Sequence, residues 1–179
     1  GGRNALLYQT AASTGARRKE LRLLLWSEVH ETAEPPYLVL RPKNTKNAKG
    51  RTLYLSPELA SDLAESRTIA KTDRVFRTMP SHHTVDKDLA SAGIPKQTDE
   101  GTVSFHSLRH TFTTLIARQT KDARLAQRMA DHADITTTQR YLHTEKDEHA
   151  AVMRDFPALR ATGRASDVVQ TGLSVSQRG

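Results

Sequence analysis

Apolar positions recur through most of this chain with a helical period, and in one short region they switch to the alternation of strands. In "ALLYQTAASTG" Leu7 and Ala11 fall at i and i+4, and the pattern stops at Gly15. "RRKELRLLLWSEV" resumes it with Leu21, Leu24 and Leu25, which predicts two helices meeting at Ser13-Thr14-Gly15. "PPYLVLRP" is a β-type run behind two prolines, and "RTLYLSP" turns Leu53 and Leu55 toward one face. With the Lys/Asn/Gly-rich "KNTKNAKG" between them, the two runs predict a β-hairpin with a basic tip. "SPELASDLAESR" carries a Ser-Pro-Glu helix start, and "HTVDKDLASAG" reads as a short helix closed by Gly93, with His82-His83 in a surface loop. After a turn-rich stretch containing Asp99-Glu100-Gly101, helices are expected from Ser107 to about Gln119, from Asp122 to Ala130 and from Thr136 to about His143. The expected architecture is an α+β fold, mainly α, with a small antiparallel hairpin or sheet. Residues 1–156 form one domain, and 157–179, without a sustained apolar period, form a flexible tail or one that orders only against a partner.

Charge narrows the partners. Across 179 residues, 27 Lys+Arg against 20 Asp+Glu give a formal net charge of +7, which favours an anionic partner such as nucleic acid or a membrane surface. Cysteine is absent, which excludes disulfides and thiolate metal sites. No apolar run reaches the roughly 20 residues needed to span a bilayer. The start "GGRNALLYQT" lacks a basic-then-apolar signal pattern, so a cytoplasmic protein is the default expectation.

The chain's eight histidines are thinly spread except in "FHSLRHTF", where two flank an arginine within five positions. On a helix His106, Arg109 and His110 share a stripe, while Leu108, Phe112 and Leu115 form an apolar neighbour to it. The cluster is therefore expected at the edge of a core, facing outward. Arg17 stands just after "STGA", Lys46 in the hairpin tip, His132 in "DHADITTTQRYLH", and Tyr141 nine residues beyond it. Taken singly, each has an ordinary reading: Arg17 as a surface partner of Glu20, Lys46 as an exposed loop lysine, Tyr141 as a partly buried aromatic. His106 and His110 have the i, i+4 spacing of a zinc pair, but Ser107 stands where the metalloprotease helix needs glutamate.

Taken together, these residues resemble the catalytic domain of the tyrosine recombinases, the phage-integrase type of site-specific DNA recombinase. The resemblance runs over about residues 5 to 145. It rests on "TGARRKEL", close to Thr-Gly-Leu-Arg-x-x-Glu-Leu, then on the hairpin lysine, "HSLRHTF", and the His132 to Tyr141 spacing in "HADITTTQRYLH". It implies that Arg17 and Arg109 bind phosphate, that Lys46 is the hairpin lysine, that His106 and His132 are the paired histidines, and that Tyr141 is the nucleophile. His110 and His143 match supporting positions. Asp131 stands beside His132 where many members carry Leu-Gly, and is expected to point away from the phosphate.

These residue types suit the chemistry. Transfer of a DNA phosphodiester to a tyrosine needs an oxygen nucleophile, stabilisation of charge on the non-bridging oxygens, and a proton for the leaving 5′-hydroxyl. Two guanidinium groups fork onto phosphate more directionally than lysine does. A lysine with a pKa lowered by nearby cations donates a proton, and Lys46 is the candidate, with Lys43 and Lys49 as neighbours in the tip. Counting back five residues from Arg51, which starts the alternating strand, reaches Lys46. The histidines help take the phenolic proton, which has a pKa near 10 in free tyrosine. Neither metal nor another cofactor is expected.

The resemblance further implies double-stranded DNA as partner, a tetramer assembled on two duplexes, and a role in integration or excision of mobile DNA. The separate N-terminal DNA-clamping domain usual in the family is expected to be absent from this chain. Two alternatives stand beside this reading, a type IB topoisomerase and a non-catalytic DNA-binding remnant of the same fold.

Overall fold

The computed structural model describes residues 4–42, 50–99, 101–120, 129 and 149–157. The first helix, α1 (Ala5–Thr14), forms where the period predicts it and buries Leu7 and Ala11 together with Thr10, Ser13 and Thr14. The two threonine hydroxyls are satisfied inside the helix: Thr10 donates to Leu6 O at 2.7 Å and Thr14 to Thr10 O at 2.6 Å. This small-residue face lets another helix approach closely. Gly15 follows in the left-handed region, with φ 63°, and donates its N–H to Ala11 O at 3.0 Å. A Cβ at this glycine would lie 2.6 Å from the Phe112 ring, so both the backbone turn and the packing require its bare α-carbon.

α2 (Arg18–Leu23) is shorter than the apolar period suggests. Leu24 leaves it in an extended conformation, φ −66° and ψ 131°, and the chain pairs with 73–75 instead: Trp26 N–H donates to Asp73 O at 2.9 Å and Val75 N–H to Leu24 O at 3.1 Å. Along that stretch Leu24 and Trp26 are buried and Leu25 is half-buried, a strand-like alternation that outcompetes continued helix. A short 3₁₀ turn at Trp26–Glu28 then leads into a strand absent from the sequence expectation, β1 (Val29–His30).

The expected hairpin is present as β2 (Tyr37–Leu40) and β3 (Arg51–Tyr54), and β1 extends it to a three-stranded antiparallel sheet in the order β1-β2-β3. Its register pairs Leu38 with Leu53 and Leu40 with Arg51. Leu38, Leu40, Leu53 and Leu55 bury one face against Leu21, Leu24, Leu59 and Leu63, which form the main core. On the other face His30 stacks on Tyr37 at 4.5 Å between ring centres, Tyr37 meets Tyr54 at 6.4 Å, and Tyr54 meets His149 at 6.3 Å.

α3 (Pro57–Thr68) starts as expected, with Pro57 in its first turn and Ser56 Oγ accepting Leu59 N–H at 3.3 Å. α4 (His82–Ser91) corrects one expectation: His82 and His83 are not in a loop but open the helix, capped by Ser81 Oγ, which accepts Thr84 N–H at 3.1 Å. Both histidines are exposed. Asp88 ties α4 to α1 by accepting from Tyr8 Oη at 2.6 Å and Asn4 Nδ2 at 2.9 Å. The turn-rich stretch holds two short strands, β4 (Gln97–Thr98) and β5 (Gly101–Thr102), paired antiparallel.

α5 (Ser107–Thr120) lies against α1 and carries a second apolar cluster, in which Phe112 and Ile116 pack with Met129, Met153 and Phe156. A helical stretch at 149–154 is fastened there by Gln119 Nε2 donating to Val152 O at 3.0 Å. Among the described residues no helix is long and apolar enough to cross a membrane. The hairpin tip with Lys43, Lys46 and Lys49, the helices expected around Asp122–Ala130 and Thr136–His143 with Asp131, His132, Tyr141 and His143, and the tail beyond Pro157 lie outside the described residues, apart from Met129.

Candidate active site

The Gly15 turn sets the position of the first arginine. Past the left-handed glycine, Ala16 is buried and Arg17 becomes the N-cap of α2 with extended backbone, φ −75° and ψ 151°. Its backbone N–H donates to Glu20 Oε2 at 2.6 Å, as a carboxylate three residues into a helix is placed to accept. Its guanidinium Nη1 lies 3.3 Å from Glu20 Oε1, with the arginine side chain 28% exposed and the glutamate 1%.

The second arginine reaches the same turn from the far end of the fold. Arg109, in the first turn of α5, donates from Nη1 to Gly15 O at 2.6 Å across 94 residues of sequence. The contact of Phe112 with Gly15, one turn further along the same helix, holds α5 where this bond can form. His106 sits in the turn leading into α5 and not on the helix itself, with its N–H donating to Ser104 Oγ at 3.2 Å. Its carbonyl accepts Arg109 N–H at 3.0 Å, which extends the helical path back to His106 and keeps the expected stripe. The exposed rings of His106 and His110 meet edge to face at 5.1 Å. Arg17, His106, Arg109 and His110 thus gather at one place, at the rim of the core as the apolar stripe indicated.

Electrostatics registers this convergence. The His106 imidazole is held below its ordinary value of 6.5, first by desolvation against the chain and then by His110, Arg109 and Arg17. Its neutral form is favoured, which leaves a ring nitrogen able to accept a proton or hydrogen bond. The folding linkage has a definite sign: a lowered imidazole pKa has no effect on stability above 6.5, and the folded state loses stability as pH falls through 6.5 toward the folded-state value. A phosphate placed among these cations opposes their influence and raises the His106 pKa, so binding takes up proton. For the duplex partner that the sequence leads one to expect, affinity should therefore tighten as pH falls through the region of 6.5, and His106→Gln should remove part of that tightening. Equal pH slopes for the two proteins, measured by fluorescence anisotropy, would refute the linkage.

Two residues at the site were not singled out from sequence. Glu20 is not the surface partner of Arg17 that its spacing suggested, because it is buried and also takes Arg51 Nη2 on Oε2 at 2.6 Å, with the Arg51 side chain 4% exposed. The signal for this was present: Arg51 shares strand parity with Leu53 and Leu55 and so points into the core, where an arginine needs a buried anion. Among the described residues no three or more His, Asp or Glu side chains come together as metal ligands do. Two surface hollows, one lined by Glu31, Pro35 and Arg154 and the other by Leu6, Phe76 and Arg77, include none of the clustered cations. Of the six residues expected to act, Arg17, His106 and Arg109 are brought together, and Lys46, His132 and Tyr141 lie outside the described residues.

Residues 1–148 match the model of the phage integrase family. Among characterised proteins, the chain is 34% identical over 110 residues to tyrosine recombinase XerC of Vibrio cholerae, covering 62% of this chain and 35% of that protein. It is 28% identical over 157 residues to tyrosine recombinase XerH of Campylobacter jejuni, covering 82% of this chain and 42% of that one. The chain thus spans less than half the length of these relatives. The fold is similar to that of XerH site-specific recombinase solved in a pre-cleavage complex with difH substrate, with a TM-score of 0.57 at 20% identity over 81% of this chain and 46% of that one. A post-cleavage complex of XerH with palindromic difH gives a TM-score of 0.56 at 21% identity, covering 81% and 45%.

Proposed function

Because the chain belongs to the phage integrase family of tyrosine recombinases, we propose that it is the catalytic domain of a site-specific DNA recombinase, acting on mobile DNA in integration or excision. The observation that carries this reading is the meeting of Arg17 and Arg109 at the Gly15 turn, beside His106, whose pKa is lowered by desolvation and then by its cationic neighbours. Two guanidinium groups and an imidazole on an open face suit a phosphodiester held on a duplex.

In the proposed reaction Arg17 and Arg109 bind the non-bridging oxygens of the scissile phosphate. The Tyr141 oxygen forms a bond to phosphorus as the bond from phosphorus to the 5′ oxygen breaks, leaving a 3′-phosphotyrosyl link. His106 and His132 hydrogen-bond the phosphate and help accept the phenolic proton, and Lys46 protonates the departing 5′ oxygen. Reversal with a 5′-hydroxyl from a second duplex completes strand exchange, for which four protomers assemble on two duplexes. Residues 1–156 form the catalytic unit and 157–179 its tail.

The deciding experiment uses a duplex selected from a randomised pool by affinity for the full chain, then nicked beside the cleavage position so that the released fragment diffuses away. A covalent protein–DNA adduct is the expected product. Tight binding without adduct would refute catalysis and leave a DNA-binding remnant; relaxation of supercoils by a monomer without exchange between duplexes would make the protein a topoisomerase.

The general-acid assignment has its own test. Lys46→Ala is expected to slow cleavage far more than it weakens binding, and a substrate with sulfur at the 5′ bridging position restores much of the rate, since a thiolate leaves without a proton. Rescue of Lys43→Ala or Lys49→Ala instead would move the role along the hairpin, and rescue of none would remove it from there.

A further inference from the structure

Arg51 opens β3, immediately after the hairpin tip, and its side chain is buried. Its Nη2 meets Glu20 Oε2 at 2.6 Å, across 31 residues of sequence. The same carboxylate oxygen accepts the Arg17 N–H at 2.6 Å, and the other oxygen takes Arg17 Nη1 at the longer distance of 3.3 Å. One buried carboxylate thus joins the strand that carries the foot of the lysine hairpin to the turn that carries the phosphate arginine.

The charges explain what this arrangement does. A buried carboxylate demands a cation, and with Arg17 as its closest source of charge it would draw that guanidinium inward and cancel it. Arg51 takes the shorter side-chain contact and lies deeper, at 4% exposed against 28% for Arg17. The two arginines and one glutamate then carry a net charge of +1, and Arg17 remains the outer cation of the trio. The position of β3 is fixed by the same bond, so the hairpin and the arginine keep one relative placement.

We propose that Arg51 is a positioning residue: acting through Glu20, it keeps the Arg17 guanidinium turned toward the bound phosphate and fixes the foot of the hairpin beside it. This rests on the recombinase reading for the step it serves, but the placement of Arg17 can be tested without that step.

The full chain is compared with Arg51→Met, Arg51→Lys and the pair Arg51→Met with Glu20→Gln, at a temperature where each is folded by circular dichroism. A small misplacement of a positioned group costs up to about 100-fold in rate. Single-turnover cleavage by Arg51→Met is therefore expected to fall about 10- to 100-fold while duplex affinity stays within about threefold. The double variant, which no longer buries an unbalanced carboxylate, is expected to recover most of that loss. Arg51→Lys, with the charge but not the planar fork, is expected to fall between. Removing one partner of a buried pair is strongly destabilising, so if Arg51→Met does not fold, Arg51→Lys and the double variant carry the comparison.

A second readout needs no cleavage. The Arg17 Nε–H resonance, assigned by its loss in Arg17→Lys, is expected to shift and to exchange more slowly with solvent in Arg51→Lys or Arg51→Met, and to return in the double variant. An unmoved resonance overturns the positioning role, as does a double variant that cleaves no faster than Arg51→Met or, where that variant does not fold, no faster than Arg51→Lys. Absence of any adduct from the wild-type chain refutes the recombinase reading instead, and the resonance still decides the role of Arg51.

Discussion

Tyr141→Phe is expected to yield no covalent adduct on a nicked duplex while its affinity for the same duplex stays within a few fold. The asymmetry follows from the proposed division of labour. The phenolic oxygen is the one atom that bonds to phosphorus, so its removal leaves no route to the intermediate, whatever the other groups retain. Binding draws instead on many cations of a chain with formal net charge +7, and one neutral hydroxyl contributes little to it. Gel electrophoresis under denaturing conditions reads the adduct, and anisotropy reads the binding. An adduct that persists in Tyr141→Phe would move the nucleophile elsewhere, and parallel loss of binding would make the tyrosine a structural residue.

The fold was legible in sequence where a periodic apolar face coincides with a chemical stop. α1 ends at Gly15, α3 begins at Ser56-Pro57, and α5 carries its apolar stripe from Leu108, so period and boundary agree at each. It was illegible where tertiary pairing decides. The run of leucines after Arg22 reads as helix, yet the partner at 73–75 pulls Leu24 and Leu25 into extended backbone, a choice no local pattern contains. β1, β4 and β5 are two residues each, too short to show alternation. His82 and His83 were expected in a surface loop although the helix expected in "HTVDKDLASAG" already begins at His83; the Ser81 cap admits both to the exposed first turn of α4.

The candidate site divides in the same way. Arg17, His106 and Arg109 stood out because unusual residue types recur at motif spacing, and the fold brings them near one another: Gly15 receives Arg109 on its carbonyl and Phe112 on its bare α-carbon. The burial of Glu20 was not legible from the Arg-x-x-Glu spacing, which on an exposed helix describes a surface pair. It becomes so only when the β3 alternation is carried one step back from Leu53, which puts Arg51 inside and requires an anion to meet it.

Arg17→Ala and Arg109→Ala are each expected to lose about 10²–10³ in single-turnover cleavage, or roughly 2.7–4 kcal/mol, the range for removing one preorganised donor from a developing oxyanion. Their effects on folding should differ. Arg17 is the outer member of the trio, and its removal leaves Glu20 with Arg51, so melting should change little. Arg109 holds the Gly15 carbonyl, and its removal takes a charge-assisted bond from the contact between α1 and α5, which should lower stability by about 1.5–3 kcal/mol. Each loss also removes a phosphate contact, flattening the salt dependence of binding by about one unit of slope. Lysine at either position retains charge without the fork, so Arg17→Lys and Arg109→Lys should recover the salt slope but only a minor part of the rate. Full recovery by lysine would mean that charge alone matters at that position, and near-normal cleavage by either alanine variant would refute the assignment of that arginine to the phosphate.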